Sequence, residues 1–126
     1  MQFKITRSHM LAIVSVEGSL NALDLLFMLQ SREYKNVIAK HNKVLVDYSG
    51  VLSSSLTLED AMGLTLLGKM DLDTQGEIHL VIVVNENERE VMEKVTGDIF
   101  SNSMTTISIV KSRQEGMAIL RGSKLS

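Results

Sequence analysis

The sequence predicts an α/β fold whose sheet is mixed but mostly parallel and opens with an antiparallel hairpin. Three observations lead to this fold class. Residues 2–7 and 11–16 are strand-like runs joined by the short polar corner Ser8-His9, which suits a hairpin. Apolar runs and capped helical stretches then alternate along the chain, as in parallel strands joined by helices. No proline, linker or low-complexity tract divides the 126 residues, so we expect one domain over residues 1–126 with the element order ββαβαβαβα.

The first predicted helix follows the hairpin. Asn21 can accept a backbone N–H bond as its N-cap, and Asp24 lies near the positive end of the helix dipole. Apolar residues continue the helical pattern toward Tyr34 or Ile38. The sequence therefore predicts one helix between the second and the third strand.

Three further strands are predicted at residues 43–48, 77–84 and 105–110. The apolar run from Val44 to Val46 is continuous, as in a strand that is buried on both faces of a parallel sheet. The 77–84 segment is the most strand-like part of the chain, because residues 80–84 are all apolar and mostly β-branched. We expect this segment in the middle of the sheet.

The helix between the first two of these strands is predicted from the pair Thr57 and Asp60, which has the spacing of a capping box. We expect the helix to end near Gly68, because glycine is common just past a helix end. Its apolar side chains are predicted to be buried: Leu58, Ala61, Met62, Leu66 and Met70.

Two more capping pairs predict the remaining helices. Asn87 with Glu90 would begin the helix after the 77–84 strand, and Ser112 with Glu115 would begin the last one. Gly122 follows the last apolar residues and is the expected end of that helix.

Composition and charge exclude several classes of function. The chain has 13 basic and 15 acidic residues, a net charge of −2, and no cysteine. Nucleic acid is not an expected partner, since no Lys/Arg cluster would attract phosphates. Disulfides, thiolate metal sites and cysteine nucleophiles are ruled out. No segment approaches the roughly 20 apolar residues of a membrane span. The first apolar run is too short for a signal peptide, and its β-branched residues are typical of a strand. We therefore expect a cytoplasmic protein.

Segments that superficially match catalytic or metal-binding motifs lack residues that the chemistry needs. Residues 63–69 have the glycine and lysine spacing of a phosphate-binding loop, but Met70 stands where a hydroxyl should reach magnesium. Asp71 and Asp73 resemble the start of a calcium-binding loop, but Ile82 occupies the place of its bidentate carboxylate. No serine lies in the strand-turn-helix setting of a hydrolase nucleophile. We therefore expect no enzyme and assign no catalytic, cofactor-binding or metal-binding residue and no cofactor.

The polar cluster Ser53-Ser54-Ser55 with Thr57 is the candidate functional feature. It follows a parallel-type strand and precedes a helix, and ligands favour this position in α/β folds. A phosphate added there would meet free backbone N–H groups and would change the surface by nearly two charges. A capped solvent loop with nothing bound explains the same residues. Met62, one turn into the helix, completes the candidate interaction or phospho-acceptor face.

Residues 44–51, with the sequence VLVDYSGV, resemble the strand-plus-turn signature of STAS domains, the family of bacterial anti-sigma-factor antagonists and transporter regulatory tails. The whole chain is similar to the SpoIIAA-like branch of small bacterial STAS-like proteins. This narrower resemblance rests on residues 18–20, Asp47, residues 107–110 and residues 115–120. It implies a STAS-like fold and a regulatory role through partners, and it implies no specific activity.

In the antagonists, the signature continues to an Asp-Ser-Ser-Gly motif whose serine is phosphorylated by a partner kinase. Counting without gaps from Asp47 places Ser55, Leu56, Thr57 and Leu58 at that motif. The sequence departs from the motif at three positions, and Thr57 supplies the hydroxyl near the expected acceptor. The resemblance thus implies Thr57 as the phospho-acceptor candidate and leaves a phospho-switch as a hypothesis.

Two functional hypotheses follow from different classes. The first is a non-enzymatic STAS-like interaction or regulatory module that acts through a protein partner or through self-association, as in a homodimer. The second is a binder of a small apolar or acyl ligand, held in a pocket between helices by side chains that repack easily, since the chain has eight methionines. The second hypothesis requires a cavity beneath the helices, whereas the first does not.

Overall fold

A computed structural model describes residues 1–8 and 11–122 of the chain; His9, in the predicted hairpin corner, lies outside the described residues. The strands in this part of the chain are β1 (Gln2–Ser8), β2 (Leu11–Leu20), β3 (Lys43–Ser54), β4 (Ile78–Val83) and β5 (Thr105–Val110). The helices are α1 (Ala22–Gln30), α2 (Arg32–Lys40), α3 (Leu58–Leu72), α4 (Glu86–Ile99) and α5 (Arg113–Arg121).

The strands form one sheet in the order β1-β2-β3-β4-β5. β1 and β2 are antiparallel, and every later pair of neighbours is parallel. The register aligns apolar residues across the sheet, with Val46 between Val14 and Ile82. The predicted fold class is therefore confirmed. The central strand is β3 instead of β4, although β4 is paired on both sides and buried along its whole length.

The helices α1 to α4 cover one face of the sheet, and α5 covers the other. The position of α1 to α4 on one face follows from handedness, because successive right-handed crossovers that move in one direction return along the same face. Side chains alternate along β4, so Leu80 and Ile82 join the core under α1 to α4. Val81 and Val83 join the second, smaller core under α5.

Gly116 allows α5 to lie close to the sheet. A Cβ atom at this position would be 2.8 Å from Cδ1 of Leu45 and 2.9 Å from Cγ1 of Val81. Carbon atoms in ordinary contact are about 3.5–4.0 Å apart. The second core is therefore packed around a helix position that has no room for a side chain.

Ser31 divides the single helix predicted between β2 and β3 into α1 and α2. Its hydroxyl donates to the carbonyl of Met28 at 2.7 Å and accepts the N–H of Tyr34 at 3.2 Å. The same residue thus ends α1 and caps α2. The apolar pattern continues across this break, which is why the pattern alone predicts one helix.

The helix caps are partly as predicted. The side chains of Asn21, Thr57 and Ser112 accept the expected N–H bonds and are N-caps. The prediction of Asn87 as the N-cap of α4 is wrong. The helix begins at Glu86, so the N-cap is Asn85, and the Asn85 side chain makes no capping hydrogen bond.

The predicted stop at Gly68 is also wrong, because α3 continues to Leu72. Gly68 keeps a helical conformation, and the positive φ of 80° belongs instead to Gly76 in the following turn. Lys69 and Asp73 form an ion pair at this end of the helix, which supports the additional turn.

β2 and β3 run beyond the sheet as a two-stranded projection. β4 pairs with residues 43–47 of β3, so the rest of β3 pairs with β2 alone. The projection contains two register shifts, and Gly18 adopts a φ of 91°, a backbone conformation that favours glycine. This projection carries the serine cluster to the start of α3.

Candidate functional site

The serine cluster lies at the end of the projection, where backbone and side-chain bonds hold it against β2. Ser53 Oγ donates to Ser19 Oγ at 3.0 Å, and the Ser55 N–H donates to the Leu20 carbonyl at 2.9 Å. The Ser54 hydroxyl accepts the N–H of Leu56 at 3.2 Å. Ser53, Ser54 and Ser55 are exposed, so they form an ordered polar surface that solvent or a partner can reach.

Thr57 is exposed and holds the start of α3. Its hydroxyl accepts the N–H of Asp60 at 3.0 Å, and a carboxylate oxygen of Asp60 accepts the N–H of Thr57 at 3.1 Å. The predicted capping box is thus confirmed. The Thr57 hydroxyl oxygen, the predicted phospho-acceptor, is therefore the atom that caps the helix, and it lies close to the Asp60 carboxylate.

Met62 is one of six exposed apolar side chains on α1 and α3, two helices that pack against each other. Leu23 and Phe27 of α1 are 58% and 63% exposed, and Leu66 and Met70 of α3 are 50% and 68% exposed. We name this surface the α1–α3 apolar face and define it by six residues: Leu23, Phe27, Leu58, Met62, Leu66 and Met70.

The expected burial of Leu58, Met62, Leu66 and Met70 is therefore wrong: each is at least 44% exposed. The opposite side of α3, which includes Leu64 and Leu72, packs against the main core. Both sides of the helix are apolar, and only one can face the sheet. The breadth of this apolar pattern is the sequence signal that could have located the face.

A cleft of about 320 Å³ opens on the helix-covered side of the sheet. Val46, Leu80 and Ile82 form its floor, and side chains of α3 and α4 such as Leu64 and Met92 form its walls. Polar groups also line the cleft where the strands end and the helices begin: Ser54, Thr57, Asn85 and Asn87. The cavity required by the ligand-binding hypothesis is present.

Two tyrosines line the cleft, Tyr34 and Tyr48. Burial raises the pKa of the Tyr48 phenol to about 12. Burial, together with the nearby Tyr48 and Asp71, raises the pKa of Tyr34 well above its ordinary value. Both phenols are therefore protonated at neutral pH and supply O–H groups in a lining that is otherwise mostly apolar.

A polar cluster on the opposite face of the sheet joins α5 to β2 and β3. Arg113 Nε donates to Asp47 Oδ2 at 2.9 Å, and its Nη2 donates to Ser15 Oγ at 2.7 Å. Burial would raise the pKa of Asp47, but hydrogen bonds from Ser49 and Arg113 outweigh it and lower that pKa below its ordinary value. Asp47, which carries the STAS resemblance, thus has a structural partner 66 residues away that sequence spacing does not reveal.

His79 and Ser108 form a second polar pair, at the other end of the strands from the serine cluster. The His79 Nε2 atom lies 2.9 Å from Ser108 Oγ. Burial and the nearby positive charge of Lys43 lower the pKa of His79. Within residues 1–8 and 11–122, no group of three His, Cys, Asp or Glu side chains is placed to hold a metal ion.

Neither a scan against protein-family models nor a search of curated proteins by sequence finds a significant match. Solved structures do match over nearly the whole chain. The anti-sigma factor antagonist SpoIIAA in its unphosphorylated form superimposes with a TM-score of 0.60 at 12% identity, covering 97% of this chain and 100% of SpoIIAA. The chain has the SpoIIAA-like fold.

Two more solved structures share the SpoIIAA-like fold with this chain. An uncharacterized protein from Shewanella loihica PV-4, of the DUF3478 family, has a TM-score of 0.57 at 15% identity over 94% of this chain and 92% of its own. The Bacillus cell fate determinant SpoIIAA in its phosphorylated form gives 0.56 at 13% identity over 95% and 100%. The predicted STAS-like, SpoIIAA-like resemblance is confirmed at the level of the fold. In the described part of the chain, no helix has the length and hydropathy to cross a bilayer.

Proposed function

We propose that this chain is a non-enzymatic interaction module that binds a protein partner through the α1–α3 apolar face. The exposure of that face is the observation that carries the proposal. Its six side chains are 44–68% exposed. Large exposed apolar patches on soluble proteins often mark sites of protein–protein interaction.

The sequence of α3 supports the same proposal. An apolar stripe along a helix of a globular protein normally faces the core, but α3 carries apolar residues on two sides. The inner side of α3 packs against the core, whereas Met62, Leu66 and Met70 face solvent. Because each side chain is already partly buried, complete burial would contribute about 0.7–2 kcal/mol per side chain, before the costs of association are subtracted.

The polar residues near the face give the proposed module a means of regulation. Thr57 is the N-cap of α3, and Ser53, Ser54 and Ser55 lie at the end of β3 and in the turn before that cap. A phosphate on one of these hydroxyls would add nearly two negative charges close to Asp60 and at the edge of an apolar interface. Of the neighbours in fold, SpoIIAA is named as an anti-sigma factor antagonist and is known in phosphorylated and unphosphorylated forms.

An affinity-capture experiment with matched variants tests the proposal. Tagged wild-type protein, the Met62→Lys variant and the Met104→Lys variant are used as baits, and bound proteins are quantified by mass spectrometry. Met104 is 62% exposed but lies in the connection between α4 and β5, away from the face. We expect wild type and Met104→Lys to recover the same partner and Met62→Lys to lose it. Equal recovery by all three baits would contradict the proposal.

A second candidate function, binding of a small apolar or acyl ligand, is favoured by the cleft. Its volume of about 320 Å³ is at the lower end of ligand pockets, which measure about 300–1,000 Å³. The apolar floor would hold a hydrocarbon group, and the two neutral phenols and the polar groups of Asn85 and Asn87 would bind a polar end.

Native mass spectrometry of freshly purified protein, with a denatured control, tests this second function. An added mass that disappears on denaturation is the expected result. The Ala61→Phe variant would fill the cleft that Ala61 lines and should lose the added mass, whereas Ala118→Phe, on the exposed side of α5, should keep it. Absence of added mass from wild type, even after incubation with a mixture of fatty acids, would contradict ligand binding.

A further inference from the structure

The lining of the cleft on the helix-covered side of the sheet carries almost no charge. Among the described residues that line it, none is lysine, arginine or histidine, and the one charged residue is Glu88. Its polar groups are phenols, hydroxyls and amides, such as those of Tyr34, Tyr48 and Asn85. A ligand inside the cleft would therefore meet neutral hydrogen-bonding groups and no positive charge.

Negative charge lies at the cleft in one place and beside it in another. Glu88 belongs to the first turn of α4, together with Glu86. Burial raises the pKa of Tyr34, and the nearby charge of Asp71 raises it further. The Asp71 Oδ2 atom is buried and has no hydrogen-bond partner among the described residues. An anionic head group would be repelled at both places.

Two lysines on neighbouring elements are already paired. Lys69, next to the cleft residue Gly68, forms an ion pair with Asp73. The Nζ atom of Lys111 lies 3.6 Å from Oε2 of Glu86. A carboxylate or phosphate in the cleft would leave water without gaining a cationic partner from the lining, and burial of an unpaired charge is costly. The electrostatics of the cleft therefore disfavour an anion.

A cationic head group gains little from the same carboxylates. Glu88 is exposed to water, which screens its charge, and Asp71 does not line the cleft. An ammonium group is strongly hydrated, and it would exchange that hydration for neutral groups. A hydroxyl or carbonyl group costs far less to bury, and phenols and amides offer it both donors and acceptors.

The volume of the cleft indicates the size of the ligand. An apolar cavity of about 150 Å³ holds one benzene molecule. In the same proportion, the cleft of about 320 Å³ has room for about twelve non-hydrogen atoms. A hydrocarbon chain of about ten carbon atoms with one small polar group has this size.

We infer that the ligand of the cleft is an uncharged amphiphile of about twelve non-hydrogen atoms, such as a medium-chain alcohol or ester, and that the cleft prefers it to an ion of the same length. This inference rests on the ligand-binding function proposed above, since it names the chemical class of that ligand.

Three probes with the same hydrocarbon chain test the inference: 1-decanol, decanoate and decylamine. At about pH 7.5, decanoate is ionised and decylamine is protonated. Isothermal titration calorimetry of the whole chain gives the three dissociation constants. We expect 1-decanol to bind about tenfold or more tightly than either ion. Decanoate should still bind at higher concentration, because its hydrocarbon part is the same.

Tyrosine fluorescence reports where the probes bind. The chain has two tyrosines and no tryptophan, and both tyrosines line the cleft. Addition of 1-decanol should therefore change the fluorescence of wild type. The change should be lost in Ala61→Phe, which fills the cleft, and kept in Ala118→Phe. Circular dichroism confirms that both variants are folded.

Reversal of one charge tests the cause of the preference. Glu88→Lys places a cation at the cleft and should lower the preference for 1-decanol over decanoate about tenfold. Glu90→Lys changes the net charge equally on the same helix, at an exposed position outside the cleft lining. This control should keep the preference of wild type.

Several outcomes overturn the inference while ligand binding stands: equal dissociation constants for the three probes, tighter binding of decanoate or decylamine, or an equal effect of Glu88→Lys and Glu90→Lys on the preference. If none of the probes binds, or if Ala61→Phe binds 1-decanol as wild type does, ligand binding in the cleft is contradicted together with the inference. The proposal of a protein partner is separate, because it is tested by Met62→Lys.

Discussion

Replacement of Gly116 by alanine should lower the stability of the protein although alanine is the better helix former. A methyl group at Gly116 would lie 2.8 Å from Leu45, 2.9 Å from Val81 and 3.4 Å from Val110. Leu45 and Val81 are fully buried, so neither side chain can turn away into solvent. The helix α5 must then move away from the sheet, or the second core must repack.

The magnitude can be isolated by comparison with Gly97. Extra methyl groups in a packed core cost about 1–3 kcal/mol, whereas glycine to alanine inside a helix gains about 1 kcal/mol. Gly97 lies inside α4 with no atom within 4 Å of a built Cβ, so Gly97→Ala shows the gain alone. The difference between the two variants therefore measures the packing cost, and we expect it to be about 2 kcal/mol.

Urea denaturation followed by circular dichroism gives the free energy of unfolding of wild type, Gly116→Ala and Gly97→Ala under one set of conditions. Gly97→Ala should be more stable than wild type, and Gly116→Ala should be less stable by about 1 kcal/mol. If both variants are stabilised to the same extent, α5 does not pack on the sheet as closely as the distances indicate, and the reasoning is refuted.

Three further predictions concern polar groups. Thr57→Ala should lower the free energy of unfolding by about 1 kcal/mol through loss of the cap, whereas Thr57→Ser should not; equal loss in both would reject the cap. Because the pKa of Asp47 is lowered in the folded protein, its stabilising effect is complete above the pKa of about 4 in the unfolded chain and is lost as pH falls. Urea denaturation at several pH values should therefore show that the free energy of unfolding of Asp47→Asn decreases less with acid than that of wild type. Because the pKa of His79 is lower in the folded protein than in the unfolded chain, the unfolded chain binds a proton at a higher pH. The free energy of unfolding of wild type should therefore fall as pH falls below about 6.5. In His79→Gln that loss should be smaller, and identical pH profiles would show that His79 does not contribute.

The fold class and most helix starts could be predicted from the sequence because both depend on local signals. The capping pair Thr57 and Asp60 lies within one helical turn, and the apolar run of β4 needs only its own residues to indicate burial. The break at Ser31 was missed because a residue that ends one helix and caps the next does not interrupt the hydrophobic pattern.

The candidate site was predictable only in part. The serine cluster was predicted to follow a strand that ends at residue 48, whereas β3 extends through Ser54 and bonds Ser53 to Ser19 of β2. The predicted cap at Thr57 is found at the start of α3. The exposure of Leu66 depends on which side of α3 the sheet occupies, and this is a tertiary property. The bond from Arg113 to Asp47 joins residues far apart in the chain, and no local pattern encodes it.

The match between strand order in the sheet and strand order in the sequence has a consequence for folding. Every parallel strand can add to an edge that the preceding segment has already formed, so a chain emerging from the ribosome can fold progressively from β1 onward. The exception is α5, which among the helices within residues 1–8 and 11–122 is the one that covers the side of the sheet that holds Val81 and Val83. Until Arg113–Arg121 has been synthesised, these apolar strands stay open to water, and exposed apolar surface of this kind favours aggregation.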